Sequence, residues 1–310
     1  MFSLASNREK FLSHKHRDIT YIIIINLSGI FLNPIVVAYA IDPVTVTFWR
    51  CLFGALLFSP FLLIKYRKFH QGITKREFSY MFFAGLALAT HFICLMQGLY
   101  QVSLGVALIV MSTSSIWAGV LGIFILKQIL GLGQWVGLFV GVSGILLLAL
   151  TSKSLEIQNN SALVWLLISS VAGAFYLVTG EKIRATVINT TYVVLVYIVA
   201  ALSALIYALI TNNSLVVESN SDWIGILLIT FFGQVMVHTV SNLYLRHGKA
   251  IKLKLSFLIQ IPIVTIIGWF LFDQEMPLEV IPALIFTVIG FLIFTVAQSK
   301  SQKLQGHTWV

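Results

Sequence analysis

The chain has 310 residues, of which 58% are hydrophobic and only 10% are charged. Soluble domains carry about 25% charged residues, so this composition excludes an ordinary water-soluble protein and favours one that lies in lipid. The net charge of +9 could indicate nucleic-acid binding. The basic residues cluster at the ends of apolar runs, however, which argues against a nucleic-acid partner.

Ten apolar runs follow one another along the chain, separated by short polar breaks. A transmembrane helix needs about 20 mostly apolar residues, and each run is roughly that long. The fold class predicted is therefore an all-α integral membrane protein with ten transmembrane helices. The helices are predicted at 19–41, 45–64, 78–99, 103–126, 133–151, 162–180, 190–211, 222–244, 253–272 and 278–297.

The distribution of lysine and arginine predicts how these helices are oriented. With the N-terminus in the cytoplasm, 18 of the 20 Lys and Arg fall in cytoplasmic segments, among them Arg184, Lys252 and Lys254. Lys153 falls on the other side, and Arg50 lies just inside the second helix. Short cytoplasmic loops carry an excess of positive charge. Both termini are therefore predicted in the cytoplasm, and a bacterial inner membrane is the expected location.

The ten helices divide into two groups of five. The predicted units are a tail at 1–18, a first repeat at 19–151, a second repeat at 162–297 and a tail at 298–310. A repeat with an odd number of helices inserts its second copy upside down, and inverted repeats build many secondary transporters. Weak traces of the duplication are present, because His91 precedes Ser115 by 24 residues and His238 precedes Pro262 by 24.

Several motifs match the pattern of a known transporter family. In the second repeat, Pro262 in the fourth helix is followed 13 residues later by Glu275 and then by the glycine-containing segment TVIGFLIF. In the first repeat, Ser115 and Gln128 stand at the corresponding positions. The segments FWRCLFGALLFSP and AGAFYLVTGEKI are similar to the family's second and sixth helices. On these motifs the chain resembles the drug/metabolite transporter (DMT) superfamily, in particular its EamA-type members with ten helices.

This resemblance implies a fold and a function. The fold is two inverted five-helix repeats, and the function is transport of amino acids, related metabolites or drugs. Proton exchange is the drive that the resemblance makes plausible.

The eighth predicted helix carries the clearest group of polar residues in the membrane. Gln234, His238, Ser241 and Asn242 are spaced at i, i+4, i+7 and i+8, which places them on one helical face. Lipid offers them no hydrogen-bond partner, so this face is expected to point into the bundle. Two interpretations stay open: a polar wall of a substrate pathway, or hydrogen bonding to neighbouring helices.

Polar and kink-forming residues on three other helices are further candidates. His91 stands among small residues and is either a packed side chain or a proton carrier, since its ordinary pKa is near 6.5. Ser256 and Gln260 continue a polar face below Lys252 on the ninth helix. Pro34 and Pro262 either bend their helices statically or mark a transport site.

The fourth predicted helix presents a face of small residues. Ser112 and Ser115 lie on that face, where close helix packing is the expected role and a pathway is the alternative. Trp117 lies in the middle of the helix. Its indole could line a cavity, fill the core or face lipid.

Together these residues predict a secondary transporter of a small organic metabolite, working by alternating access around a cavity between helices three, four, eight and nine. The expected partners are the solute and membrane lipids, with a homodimer left open. No catalytic residue, cofactor or metal is expected, because no nucleotide-binding loop or metal-ligand spacing is present. A lipid-modifying membrane enzyme and a membrane receptor are the alternatives.

Overall fold

The computed structural model describes most of the chain. The described residues are 2–64, 73–151, 161–274, 281–282, 285–286, 288–290, 292–294 and 296–297, without the side chains of 2–15, 63–64 and 144–151. All regular structure within these ranges is helical. Glu275 and eight of the twenty residues of the tenth predicted helix lie outside the described residues.

Nine helices are described with continuous bounds. They are α1 Phe2–Tyr39, α2 Pro43–Ile64, α3 Lys75–Leu99, α4 Leu104–Leu126, α5 Leu132–Thr151, α6 Ser161–Arg184, α7 Asn189–Thr211, α8 Asn220–Tyr244 and α9 Ala250–Phe272. All except α5 are long and apolar enough over their described residues to cross a membrane, which gives eight candidate spans. The prediction of an all-α membrane protein is confirmed to this extent.

The helix boundaries follow local capping chemistry. Thr74 begins α3 with a capping box, because its hydroxyl accepts from the Glu77 backbone N–H while the Glu77 carboxylate accepts from the Thr74 backbone N–H. Asp42 Oδ1 accepts the backbone N–H groups of Val44 and Thr45 at 3.0 and 2.8 Å, which satisfies donors at the start of α2. The first helix starts at Phe2 rather than at residue 19. A helix already formed by its membrane segment gains one hydrogen bond for each residue added.

Two spans are interrupted near their middle. In α4, the helix Leu104–Ser112 gives way to Ser114–Leu126 at Thr113, and in α9 a 3₁₀ turn, Phe257–Ile259, separates two α-helical pieces. Both spans end on a left-handed residue, Lys127 with φ 54° and Asp273 with φ 49°. The backbone N–H of each donates to a glycine carbonyl.

The eighth span contains a long π-helical segment, Thr230–Thr239. A π-helix pairs residues five apart rather than four and turns less per residue than an α-helix. Side chains at i and i+4 therefore separate around the axis, and this changes which groups share a face.

The helices are arranged so that α3 packs on α6, α2 on α7, α4 on α9 and α1 on the π-helical part of α8. Fully buried core side chains of these helices include Leu88, Tyr176, Tyr192 and Tyr197. Large exposed hydrophobic side chains such as Phe124, Phe139 and Phe270 cover the outside, as expected for a surface that faces lipid. The interior between α1, α3, α4, α6, α8 and α9 holds a cavity.

Candidate functional site

A cavity of about 110 Å³ lies inside the bundle and receives side chains from six helices. A buried water needs only about 10–15 Å³ of such space, so the cavity suits several waters or a small organic solute. The predicted helices three, four, eight and nine all contribute, and α1 and α6 contribute as well. The polar groups at its wall are Asn33, His91, Ser112, Ser114, Tyr176, His238, Ser241, Lys254 and Gln260.

Lys254 is the charged residue at this wall, and its side chain is 5% exposed. The sequence analysis counted it with the cytoplasmic segments, whereas the structure buries its side chain at the cavity wall. Lys254 lies one turn after the start of α9. Its Nζ lies 3.2 Å from the position that a Cβ on Gly173 would occupy. Because Gly173 is near the middle of α6, the side chain runs inward along the bundle. Lys252, two residues earlier, is exposed.

His91 is fixed on the α3 wall by the backbone and side chain of Ser169. Its Nδ1 lies 2.9 Å from the Ser169 carbonyl oxygen and 2.9 Å from the Ser169 hydroxyl. That hydroxyl donates its proton to the carbonyl oxygen of His91 at 2.8 Å. A carbonyl can only accept, so this network assigns the proton to Nδ1 and leaves the lone pair of a neutral ring on Nε2.

His238 lies across the cavity on α8, with its ring centroid 6.2 Å from that of His91. The ring packs edge-on against Phe92 at 4.7 Å and lies 5.7 Å from Tyr176. Its Nδ1 is buried and has no hydrogen-bond partner. Both histidines are buried inside the bundle, and both line the same cavity.

The other members of the α8 polar group are buried but point to different neighbours. Ser241 lines the cavity, whereas Gln234 and Asn242 do not. Gln234 Oε1 accepts from Arg50 Nε at 3.1 Å. Asn242 Nδ2 donates to the Tyr176 hydroxyl at 2.6 Å. The single face expected from α-helical spacing is divided because the segment is π-helical.

Arg50 is itself 1% exposed, although the sequence placed it near a helix end. Its guanidinium carbon lies 3.8 Å from the centroid of the Phe92 ring, a cation–π contact. One of its terminal nitrogens, Nη2, is buried without a hydrogen-bond partner. Arg50 therefore adds a second positive charge behind the ring that supports His238.

The candidates on α4 separate into two groups. Ser112 lines the cavity, and its hydroxyl donates to the Ile109 carbonyl at 2.6 Å. Ser115 is buried and donates to the Ser112 carbonyl at 2.8 Å, but it does not line the cavity. Trp117 is 38% exposed and lies on the outer surface, so of its three interpretations the structure agrees with the one that faces lipid.

On α9, the predicted polar face turns toward α1. Asn26 Nδ2 donates to the Ser256 hydroxyl at 3.1 Å, and Gln260 Nε2 donates to Asn26 Oδ1 at 3.1 Å. Gln260 also borders the cavity, while Ser256 does not. Gly29 permits this contact, since a Cβ there would lie 2.5 Å from Gln260 Oε1.

The two prolines differ in their setting. Pro262 follows the 3₁₀ turn of α9 by three residues, so the regular α-helix is interrupted where the sequence predicted a bend. Pro34 lies within α1, which continues through it as one helix. The neighbouring Asn33 lines the cavity and donates to the Gly29 carbonyl at 2.9 Å.

Sequence reasoning missed Lys254, Tyr176 and Gly173. A signal for the lysine was present, because Lys254 falls inside the predicted run 253–272 and shares an i, i+4, i+7 face with Leu258 and Ile261, which also line the cavity. Tyr176 had no such signal, since tyrosine is common in apolar helices.

Comparison with known proteins supports a transporter family. Residues 18–150 match the family model described as the EamA-like transporter family. None of the curated proteins compared with the chain matches it.

Among solved structures, one crystal structure is similar to this chain with a TM-score of 0.64 and 15% sequence identity. The match covers 92% of this chain and 98% of the other chain. Because the identity is low, this similarity supports the fold alone. Residues 18–150 of this multi-pass membrane protein therefore match the EamA-like transporter family, the family that the sequence motifs predicted.

Proposed function

We propose that this protein is a secondary transporter that carries a small organic solute by alternating access. The cavity between six helices is the observation that carries this proposal. Cavities that combine an apolar wall with a few placed polar groups are typical of small-molecule sites. Here that space lies within the bundle of a membrane protein of a transporter family, where a solute would have to pass.

Two inverted five-helix repeats are part of the proposal, and the ends of α4 and α9 support them. The left-handed residues Lys127 and Asp273 are 146 positions apart, and so are Gly122 and Gly268, whose carbonyls accept from them. The helix contacts agree with two equivalent units of five helices. In such an arrangement α3 corresponds to α8 and α6 corresponds to α1, so the packing of α3 on α6 has its counterpart in the packing of α8 on α1. A tenth helix over 278–297 would complete the second unit.

The helix starts provide a further correspondence. Gln274 Oε1 accepts from the backbone N–H of Leu104 at 3.0 Å, so the end of α9 caps the start of α4. At the equivalent place, Gln128 Nε2 donates to Glu181 at 2.7 Å, and Glu181 accepts from the backbone N–H of Ala250 at 2.7 Å. These two clamps tie the fourth helix of one unit to the fourth helix of the other.

Cytoplasmic termini in a bacterial inner membrane belong to the same proposal. The excess of lysine and arginine in cytoplasmic segments supports this orientation even when Arg184 and Lys254, which are buried, are not counted. Labelling single cysteines placed at residues 3 and 308 from either side of sealed vesicles tests it. Labelling of the two positions from opposite sides would contradict the ten-helix arrangement.

Proton exchange is the proposed drive, and His238 is the proposed carrier rather than His91. The Nδ1 of His238 is without a partner, whereas the Nδ1 of His91 is bonded to Ser169. Imidazole exchanges protons near neutral pH in its ordinary state. Solute flux in proteoliposomes that responds to an imposed pH gradient is the expected result.

The transport assay compares a variant that fills the cavity with a matched one that does not. Ser112 borders the cavity, and Ser143 is exposed on the outside of α5; each hydroxyl donates to the carbonyl three residues earlier. In proteoliposomes screened with a metabolite panel, Ser112→Phe should lower uptake at least tenfold and Ser143→Phe should not. Helicity and melting temperature identify a variant that is merely misfolded. Absence of uptake above empty liposomes for the unsubstituted protein would contradict the proposal.

A further inference from the structure

The cavity holds a buried lysine, Lys254, for which the described residues provide no counter-charge. A charge at mid-membrane depth is costly and is usually paired or bonded. Lys254 Nζ lies 5.6 Å from the Phe257 ring centroid, a cation–π contact. Among the described residues, no carboxylate lines the cavity, and no ion pair or hydrogen bond reaches this ammonium group.

The surroundings of Lys254 increase this positive potential. Arg50 lies behind the Phe92 ring, against which His238 packs. The half-buried carboxylate of Glu181 on α6 is engaged with Gln128 and with the start of α9, outside the cavity. Taken together, the described part of the cavity and its support contain two basic side chains and no carboxylate.

Tyr176 supplies a second hydrogen-bond donor to the same wall. Its hydroxyl accepts from Asn242 Nδ2 at 2.6 Å, so its own proton remains for another acceptor. Tyr176 follows Gly173 by three residues and therefore lies on the same face of α6. Lys254 Nζ approaches that face at Gly173. The side chains of Lys254 and Tyr176 thus border one space.

The remaining wall is largely apolar. It includes Leu95, Leu108, Met111, Leu177, Val237, Phe257, Leu258 and Ile261. The hydroxyls of Ser112 and Ser241 donate to carbonyls of their own helices and can only accept further bonds. A solute that fits this wall has one acceptor group with negative charge and an aliphatic or aromatic body.

From these features, and resting on the proposed transport function, we infer that the solute is a monocarboxylate with an apolar body, bound by Lys254 with Tyr176 as the second donor. One lysine balances one negative charge, whereas a phosphate ester or a dicarboxylate brings two. A positive ammonium group on the solute finds no counter-charge among the described residues of this wall. Organic acids are therefore favoured over the amino acids of the same shape.

Four analogues of one shape test the inference. 4-Methylpentanoate is an anion at pH 7, 4-methylpentanamide is neutral, leucine is a zwitterion and leucine amide is a cation. A ligand that binds the folded state raises apparent stability by mass action. The melting temperature of the detergent-solubilised full chain is measured against the concentration of each compound, which gives its apparent affinity.

The matched control for Lys254 is Lys252, two residues away on the same helix and exposed. We expect 4-methylpentanoate to bind the unsubstituted protein and Lys252→Met at least tenfold more tightly than the other three compounds. Lys254→Met should lower the affinity for the acid at least tenfold, and Lys254→Arg, which keeps the charge, should recover part of it. Tyr176→Phe should give a smaller loss, several-fold.

The results separate this inference from the transport proposal. Equal affinity for acid and amide, tighter binding of leucine, an unchanged affinity in Lys254→Met, or no shift with the acid would each overturn the inference. A neutral or zwitterionic solute that moves in proteoliposomes would then leave the transport proposal standing. Lysine-dependent binding of the acid without exchange of labelled acid across proteoliposomes would instead overturn the transport proposal alone.

Discussion

The two histidine walls of the cavity are built differently, although each histidine lies in a long membrane-spanning helix. On α3, a regular α-helix, His91 is held by two contacts of 2.9 Å to Ser169 of α6. On α8, a π-helical segment carries His238, whose Nδ1 has no partner and whose ring packs on aromatic rings. One imidazole is fixed by hydrogen bonds, and the other keeps a free nitrogen beside the cavity.

This difference assigns separate roles to the two walls. Hydrogen bonds between membrane helices hold geometry, so the α3–α6 contact is expected to be the static support. π-Helical turns are rare, and they are frequently found at functional sites. Their looser hydrogen-bond pattern makes α8 the wall that is expected to change during transport.

The largest effect is expected where α8 meets the buried arginine. Gln234→Leu removes the acceptor of Arg50 Nε in a site where Gln234 is 0% exposed. Hydrogen bonds to charged groups contribute about 1.5–3 kcal/mol, so the free energy of unfolding should fall by about 2–3 kcal/mol. Reversible unfolding in mixed detergent measures it.

The double variant Arg50→Met/Gln234→Leu is the control for this change. Replacing both partners with apolar groups leaves no unsatisfied charge, and most of the lost stability should return. If the double variant is less stable than Gln234→Leu, the arginine does more than pair with this glutamine, and the structural role given to α8 at this depth is wrong.

A steric change on α6 tests the support beneath both His91 and Lys254. In Gly173→Ala, the new Cβ would lie 2.7 Å from His91 Nδ1 and 3.2 Å from Lys254 Nζ. Overpacking costs about 1–3 kcal/mol, and a loss of about 2 kcal/mol is expected. Gly122→Ala is the matched control, because its Cβ would meet Gln128 Oε1 at an ordinary 3.4 Å. Equal melting temperatures for the two variants would contradict the close approach.

A smaller effect is expected from the hydroxyl that supports His91. Ser169→Ala removes the bond from Oγ to the His91 carbonyl but keeps the Ser169 carbonyl that accepts from Nδ1. Side-chain hydrogen bonds between membrane helices average about 0.6 kcal/mol, and a loss of this size is expected. Ser203→Ala, whose hydroxyl bonds within its own helix to Val199, should cost less in the same unfolding measurement.

The sequence predicted the helices well because a membrane-spanning helix is recognised by its length and apolar composition. Eight predicted runs coincide with described spans to within a few residues at most ends, since apolar length and polar breaks are both set by the bilayer. His91 and His238 were found for the same reason, because polar groups cannot face lipid.

The details of the site needed the three-dimensional structure. The α-helical spacing of 3.6 residues gave Gln234, His238 and Asn242 one face, but the π-helical turn directs them to Arg50, to the cavity and to Tyr176. The charge-distribution rule counted Lys254 with the cytoplasmic segments, at the start of the predicted helix 253–272, yet a lysine side chain is long enough to extend from a helix end toward either side. Its inward course depends on the space left by Gly173, which no spacing reveals.

The smallest effect on stability, with the largest contrast in function, is expected from His238. In His238→Phe, the ring contacts with Phe92 and Tyr176 can persist, and no hydrogen bond of Nδ1 is lost because none exists. The free energy of unfolding should therefore stay within about 0.5 kcal/mol of that of the unsubstituted protein. His91→Phe, which breaks the bond to Ser169, should be less stable. In proteoliposomes, His238→Phe should lose the response of solute flux to a pH gradient, whereas Ser169→Ala should keep it. A His238→Phe variant that is as unstable as His91→Phe, or that still responds to the gradient, would show that the free nitrogen on α8 is not what distinguishes the two walls.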